Sequence, residues 1–274
     1  MRVTAEMLAA IAGRVGVMGR GIARSRPTRL MADLATAINR HAPAYGIDSR
    51  MRMAAFLANA CHETGGFARL TESLNYSVAG LKTTFGRHRI SLAECERYGR
   101  KPGRPADQQS IANIVYGGAW GRKNLGNTHP GDGWRFRGSG LMQTTGRANF
   151  QAVANAGLPG VMVNPDLLRT PDDGTLAACI FWRSRRLNEP ADRGDIDRVR
   201  RAINGGTLGM AEVRAALRRA LDVLPPDKPA DRVLPKSEPS PAPTPEPSPA
   251  AKPAGGIGGF LGWLLNLLRK GTPS

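Results

Sequence analysis

The chain is 274 residues long, 41% hydrophobic, and carries a net charge of +17. That length allows a sizeable core, and that charge implies an anionic partner, whether nucleic acid, a membrane surface or an anionic polymer. The arginines are dispersed rather than packed into one block, which argues for attraction to a large polyanion and against base-specific reading of a nucleic acid.

Cys61, Cys95 and Cys179 form an odd set without a CxxC spacing, which argues against a zinc site or a disulfide framework and for free thiols made in a reducing cytosol. The first residues, MRVTAEMLAAIAGRVGVMGRG, lack a long apolar stretch followed by a small-residue cleavage site, so no cleaved signal peptide is expected.

In chain order, residues 27–40 place Leu30, Met31, Leu34 and Ile38 at helical spacing. A second helix is expected over 50–63, begun by Asp48 or Ser49 and stopped by Gly65 and Gly66. Ser91 and Glu94 form a capping-box pattern. Thr170 followed by Pro171 reads as a helix start. Further helices are expected over 195–203 and 210–223. Between Gly131 and Thr145, Trp134 and Phe136 alternate with Arg135 and Arg137, which predicts a small hairpin or irregular β element.

The composition shifts near Leu224. Residues 225–253 hold 11 of the 21 prolines and predict an extended, semi-rigid linker without a core. Residues 225–274 carry six Lys/Arg and four Asp/Glu, a balance of +2, which leaves +15 of the +17 for residues 1–224. Beyond the linker, Ile257, Leu261, Leu264, Leu265 and Leu268 share one helical face, with Gly258, Gly262, Asn266 and Arg269 on the other. The apolar run, about 18 Å as a helix, is too short for a bilayer core of about 30 Å. Two readings stand side by side: an interfacial amphipathic helix touching a membrane through residues 257–270, and a helix docking on the main domain or on a partner.

Four segments carry candidate chemistry. Glu63, in ACHETGG at 60–66, closes an apolar helix. Apolar surroundings and the negative end of the helix dipole both keep a proton on such a carboxyl, as a general acid requires, although a solvated helix-end Glu fits the motif equally well. Glu72, in LTESLNY at 70–76, offers a second carboxyl nine residues on, or a surface Glu. His62, Asn75 and Tyr76 are polar groups suited to lining a cleft, and His62 alone has no second His at metal-ligand spacing. The glycine-rich run GDGWRFRGSGLMQTTG at 131–146 brings Gln143 and Thr145 as neutral hydrogen-bonding groups. Its glycine spacing does not suit a nucleotide phosphate. INGG at 203–206 is either a C-cap turn or a means of presenting Asn204.

In this order, HETGG, ESLNYS, GDGWRFRGSGLMQTTG and INGG resemble glycoside hydrolase family 19, which holds plant-type chitinases and many phage endolysins, from about Pro27 to Leu224. The resemblance implies a mainly α, lysozyme-like, two-lobed helical domain with a small β-hairpin element, spanning 1–224. A Pro-rich linker (225–254) and an amphipathic tail (255–274) follow. It implies Glu63 as general acid, Glu72 as base in the endolysin branch, and Thr145, with Gln143 beside it, as the residue holding the water. Asn204 and Arg214 are implied in the sugar cleft, alongside His62, Asn75 and Tyr76. The stretch around Phe85, where plant enzymes of the family carry their second Glu, has no carboxylate, and Ser139 stands where the family often has Arg.

The expected reaction is hydrolysis of β-1,4 bonds of peptidoglycan with inversion, which needs carboxyls about 6.5–9.5 Å apart, and with no metal or other cofactor. The expected setting is a monomer made in the cytoplasm, without a specific nucleic-acid partner, that acts at the periplasmic wall after release and is held near the anionic envelope by its charge. The alternatives are a chitinase and a cationic membrane-active protein that kills without catalysis.

Overall fold

The computed structural model describes residues 1–15, 23–24 and 26–227. Most of the expected linker and all of the expected amphipathic tail lie outside the described residues. The domain is mainly helical, as expected.

The largest core is built around α3 (Arg50–Glu63). Ser49 caps its start by accepting from the Arg52 N–H, and ten of its fourteen residues are buried, so it is surrounded on every side rather than lying on the surface. The same core takes in α1 (Ala5–Ala12), α2 (Arg29–His41), capped by Thr28, and later α11 (Pro171–Ser184), α12 (Asn188–Asp192), α13 (Ile196–Asn204) and α14 (Met210–Val223). Phe56 of α3 meets Trp182 of α11 edge to face at 5.5 Å. Removing so large a buried ring costs about 3–5 kcal/mol. Two short antiparallel strands, β1 (Arg14–Val15) and β2 (Ala23–Arg24), pair between α1 and α2.

A second core gathers Leu74, Phe85 and Ile90 with α4 (Val78–Thr84), α5 (Leu92–Tyr98), α6 (Gln108–Val115) and α7 (Gly118–Leu125). The capping box of Ser91 and Glu94 is present at the start of α5. A third core, with Phe136 against Phe150 at 5.1 Å, holds α9 (Arg147–Asn155), α10 (Gly160–Val163) and the inner side of α11. Thr170 caps α11 with Pro171 in its first turn.

The expected hairpin over 131–145 takes another form. Residues Asp132–Arg135 make a helical turn, α8. The buried Asp132 carboxylate accepts from the Thr128 and His129 N–H groups and from Arg147, and Gly133 sits so close to α6 that a β-carbon would fall 2.3 Å from the Ala112 carbonyl oxygen. These constraints override the alternating pattern. Phe136 becomes core, while Trp134 lies half-buried beneath Arg137, whose guanidinium stands 3.7 Å from the ring centroid. β pairing survives only as a tight loop, where Ser139 bridges Thr144 on one side and Thr71 on the other.

Candidate active site

Glu63 and Glu72 come from different cores and face one cavity. The last turn of α3 carries Glu63, and the chain then breaks sharply. Gly65 and Gly66 have φ of 63° and 85°, left-handed values that suit glycine. Gly66 N–H reaches back to the Cys61 carbonyl at 2.7 Å, and Thr64 Oγ1 accepts from the Phe67 N–H. The redirected strand then pairs with the glycine-rich loop: Glu72 N–H donates to the Gly138 carbonyl at 3.0 Å, and Gly140 N–H to the Leu70 carbonyl at 2.8 Å. Glu63, Glu72, Arg69, Ser73, Asn75, Tyr76 and Gln143 line a cavity of about 140 Å³.

The two carboxyls have different surroundings. Glu63 Oε1 accepts a 2.6 Å hydrogen bond from Arg200 Nη1 on α13, and both side chains are sealed from solvent. Glu63 Oε2 is buried and makes no hydrogen bond among the described residues. Burial raises the Glu63 carboxyl above its ordinary range, and the Arg200 charge opposes that rise. Both oxygens of Glu72 are held as acceptors. Oε1 accepts from Gly138 N–H at 2.7 Å and Oε2 from the Tyr116 hydroxyl at 2.8 Å. Burial pushes Glu72 up to about 7, against the pull of those two donors and of Arg137 and Arg169.

Gly138 is the hub of this second half. A β-carbon there would stand 3.0 Å from Gln143 Oε1, 3.2 Å from Thr145 Oγ1 and 3.3 Å from the Glu72 carboxyl carbon. The three polar side chains therefore converge over a position where a methyl group would fit only if one of them gave way by a few tenths of an ångström. Thr145 lies behind Gln143 and donates to its carbonyl at 3.0 Å. Gln143 itself has φ of 49°, a costly geometry for a residue with a side chain, held by the Ser139–Thr144 bridge and by its own Nε2 donating to the Gly140 carbonyl.

Asn75 and Tyr76 line the same cavity, with Asn75 Oδ1 accepting from Ala106 N–H at 3.4 Å and Tyr76 packed edge to face on Phe85 at 5.4 Å. The structure does not bring His62, Asn204 or Arg214 into the cavity. One residue before Glu63 on the helix, His62 points to a separate groove with Leu30, Met31 and Glu212, and burial followed by the Arg200 charge lowers it to about 4. Asn204 is buried and shapes the turn after α13, accepting from Gly206 N–H and donating to the Leu208 carbonyl. Because Arg200 Nε donates to that same carbonyl, Asn204 bears on Glu63 only through the loop that seats Arg200. Arg214 pairs with Asp197 on the surface at 2.5 Å. Ser139 accepts from Arg169 Nε at 3.1 Å, which brings a guanidinium to that loop from elsewhere in the chain.

Arg200 and Tyr116 complete the site and were not indicated by the motifs. The only sequence trace of Arg200 is a charge on the apolar face of α13, among Ile196, Val199 and Ile203.

A helical domain that sets two buried carboxyls on one cavity, one with an unpartnered oxygen and the other held as an acceptor, has the parts of a glycoside hydrolase. No family model matches the chain. A curated protein of Haemophilus influenzae, named as a glycosyl hydrolase family 19 domain-containing protein, is 37% identical over 179 residues, covering 65% of this chain and 82% of the relative. The chain belongs to glycosyl hydrolase family 19.

Proposed function

We propose that this chain is an endolysin that hydrolyses β-1,4 bonds in the glycan strands of bacterial peptidoglycan, with Glu63 as general acid and Glu72 as general base. The observation that carries the reading is the pairing, across one cavity, of an unpartnered carboxyl oxygen on Glu63 with a Glu72 that accepts one hydrogen bond on each oxygen. With Oε1 committed to Arg200, the proton of Glu63 sits on Oε2 and passes to the bridging oxygen as the bond from that oxygen to the anomeric carbon breaks. A water placed by Gln143 and Thr145 attacks that carbon and gives its proton to Glu72. The configuration inverts, and no cofactor takes part.

The substrate is read from charge. A net +17 suits an enzyme that works against an anionic wall and envelope, where long-range attraction concentrates it on an immobile polymer. The setting we infer is synthesis in a bacterial cytoplasm, release to the periplasmic wall, and action as a monomer.

The test is to incubate the full chain with purified peptidoglycan and, separately, with chitin, and to identify the new reducing sugar by mass analysis. New reducing muramic acid ends support the proposal. New ends from chitin alone make the protein a chitinase. No new reducing end from either polymer removes the hydrolase reading and leaves that of a membrane-active protein.

A further inference from the structure

Tyr116 is 1% exposed and belongs to no motif, yet the fold pins it firmly. Asn127 Nδ2 donates to its carbonyl at 2.9 Å, and Asn127 Oδ1 in turn accepts from Arg147 N–H at 2.8 Å. On the other side, Gly121 approaches so closely that a β-carbon would lie 1.9 Å from that carbonyl oxygen. The Arg89 guanidinium, itself donating to the neighbouring Val115 carbonyl, stands 5.7 Å from the ring centroid. All of this aims one hydroxyl at Glu72 Oε2.

A carboxylate offers about four lone-pair sites, two on each oxygen. Gly138 N–H takes one on Oε1 and Tyr116 takes one on Oε2. The carboxyl plane is thereby fixed while each oxygen keeps one site open. We propose that Tyr116 is the positioning residue for Glu72, its hydroxyl locking the carboxyl plane and holding it ready to accept a proton from water. This rests on the reading of Glu72 as the base.

The direction of the effect follows from charge. A hydroxyl donor is held more strongly by a carboxylate than by a carboxylic acid, so Tyr116 offsets part of the burial that brings Glu72 to about 7. Other groups face Glu72 as well. Arg137 and Arg169 act from the glycine-rich loop side, and Arg89 and Tyr76 from the second core. Glu63 and Arg69 share the cavity. None of these replaces a direct bond to Oε2.

The test compares Tyr116→Phe with the unaltered full chain by following the Glu72 carboxyl carbon in a ¹³C NMR pH titration, assigned with Glu72→Gln, and by the pH dependence of kcat. The expected result is an alkaline displacement of the Glu72 midpoint by about one pH unit, with the low-pH limb of kcat moving equally and KM little changed. A rate reduced by the same factor at every pH, with the midpoint unmoved, overturns the proposal. Should Tyr116→Phe fail to fold, 3-fluorotyrosine at 116, a more acidic donor of nearly the same shape, is expected to move the midpoint the other way, and no movement overturns it. Full activity in Glu72→Gln would sink the reading of Glu72 as base, a result independent of whether Tyr116 moves the carboxyl titration.

Discussion

Glu63 and Arg200 stand 137 residues apart in sequence and form a 2.6 Å ion pair with both side chains fully sealed from solvent. Such a pair is weak evidence of stability, because desolvating two charges consumes most of what their attraction returns, but breaking it from one side is costly. Arg200→Met leaves a buried carboxyl without its cation. The charge of Arg200 holds the Glu63 carboxyl lower than burial alone would, so the variant keeps its Glu63 proton to higher pH. The loss of stability is therefore expected to be smaller in acid, where Glu63 is neutral, and larger in base, approaching about 3–5 kcal/mol. Thermal melts at pH 5 and pH 9 check this, and equal losses at both would contradict it.

Glu72 makes the opposite kind of prediction, a stabilising substitution. Its rise from 4.5 to about 7 corresponds to about 3 kcal/mol. The folded protein binds this proton more tightly than the unfolded chain does, so the penalty of ionising Glu72 is absent below about pH 4.5. It grows between there and about pH 7 and stays constant above. Glu72→Gln retains the acceptor for Gly138 and the shape of the side chain. It is expected to melt several degrees above the unaltered protein at pH 8, with the gap closing below pH 5, while wall hydrolysis falls by about 10²–10⁴-fold. A variant no more stable at pH 8 would show that the burial of Glu72 imposes no such strain.

The convergence over Gly138 predicts an effect of one methyl group. Gly138→Ala forces Gln143 Oε1, Thr145 Oγ1 or the Glu72 carboxyl to give way by a few tenths of an ångström. Misplacement on that scale beside Glu72 is expected to lower kcat, by less than the about 10²-fold that a displacement of about 1 Å costs, with little change in the affinity for glycan. Thr145→Val, which keeps the shape and removes the hydroxyl, is expected to lower kcat by about 10-fold or more, and Thr145→Ser to recover most of it. A Thr145→Val variant with unaltered kcat would remove Thr145 from the mechanism.

Much of this was legible in the sequence because it is local. Helix α3 falls on its expected residues, since Ser49 and the glycines that bound it act within one turn, and the caps at Ser91 and Thr170 act over three residues. Glu63 and Gln143 could be singled out because each lies in a glycine-rich run, and Glu72 because it is a second carboxyl nine residues after Glu63. What was not legible depends on distant partners. Tyr116 is 44 residues from Glu72 and Arg200 is 137 from Glu63, and neither carries a local pattern. His62 misled because adjacency in sequence on a helix means about 100° of rotation, so the residue beside the acid faces another groove. The alternation of Trp134 and Phe136 misled because a buried Asp132 and the close approach of Gly133 to α6 fix a helical turn whatever the pattern.

The account rests on the proton of Glu63, and the most direct measurement is the rate at which Glu63→Gln releases new reducing ends from purified peptidoglycan. Gln preserves the size of the side chain and an acceptor for Arg200, and it has no proton to give to the bridging oxygen. The account predicts a folded variant with near-total loss of reducing-end release at every pH. A folded Glu63→Gln that cleaves glycan at the unaltered rate would contradict it.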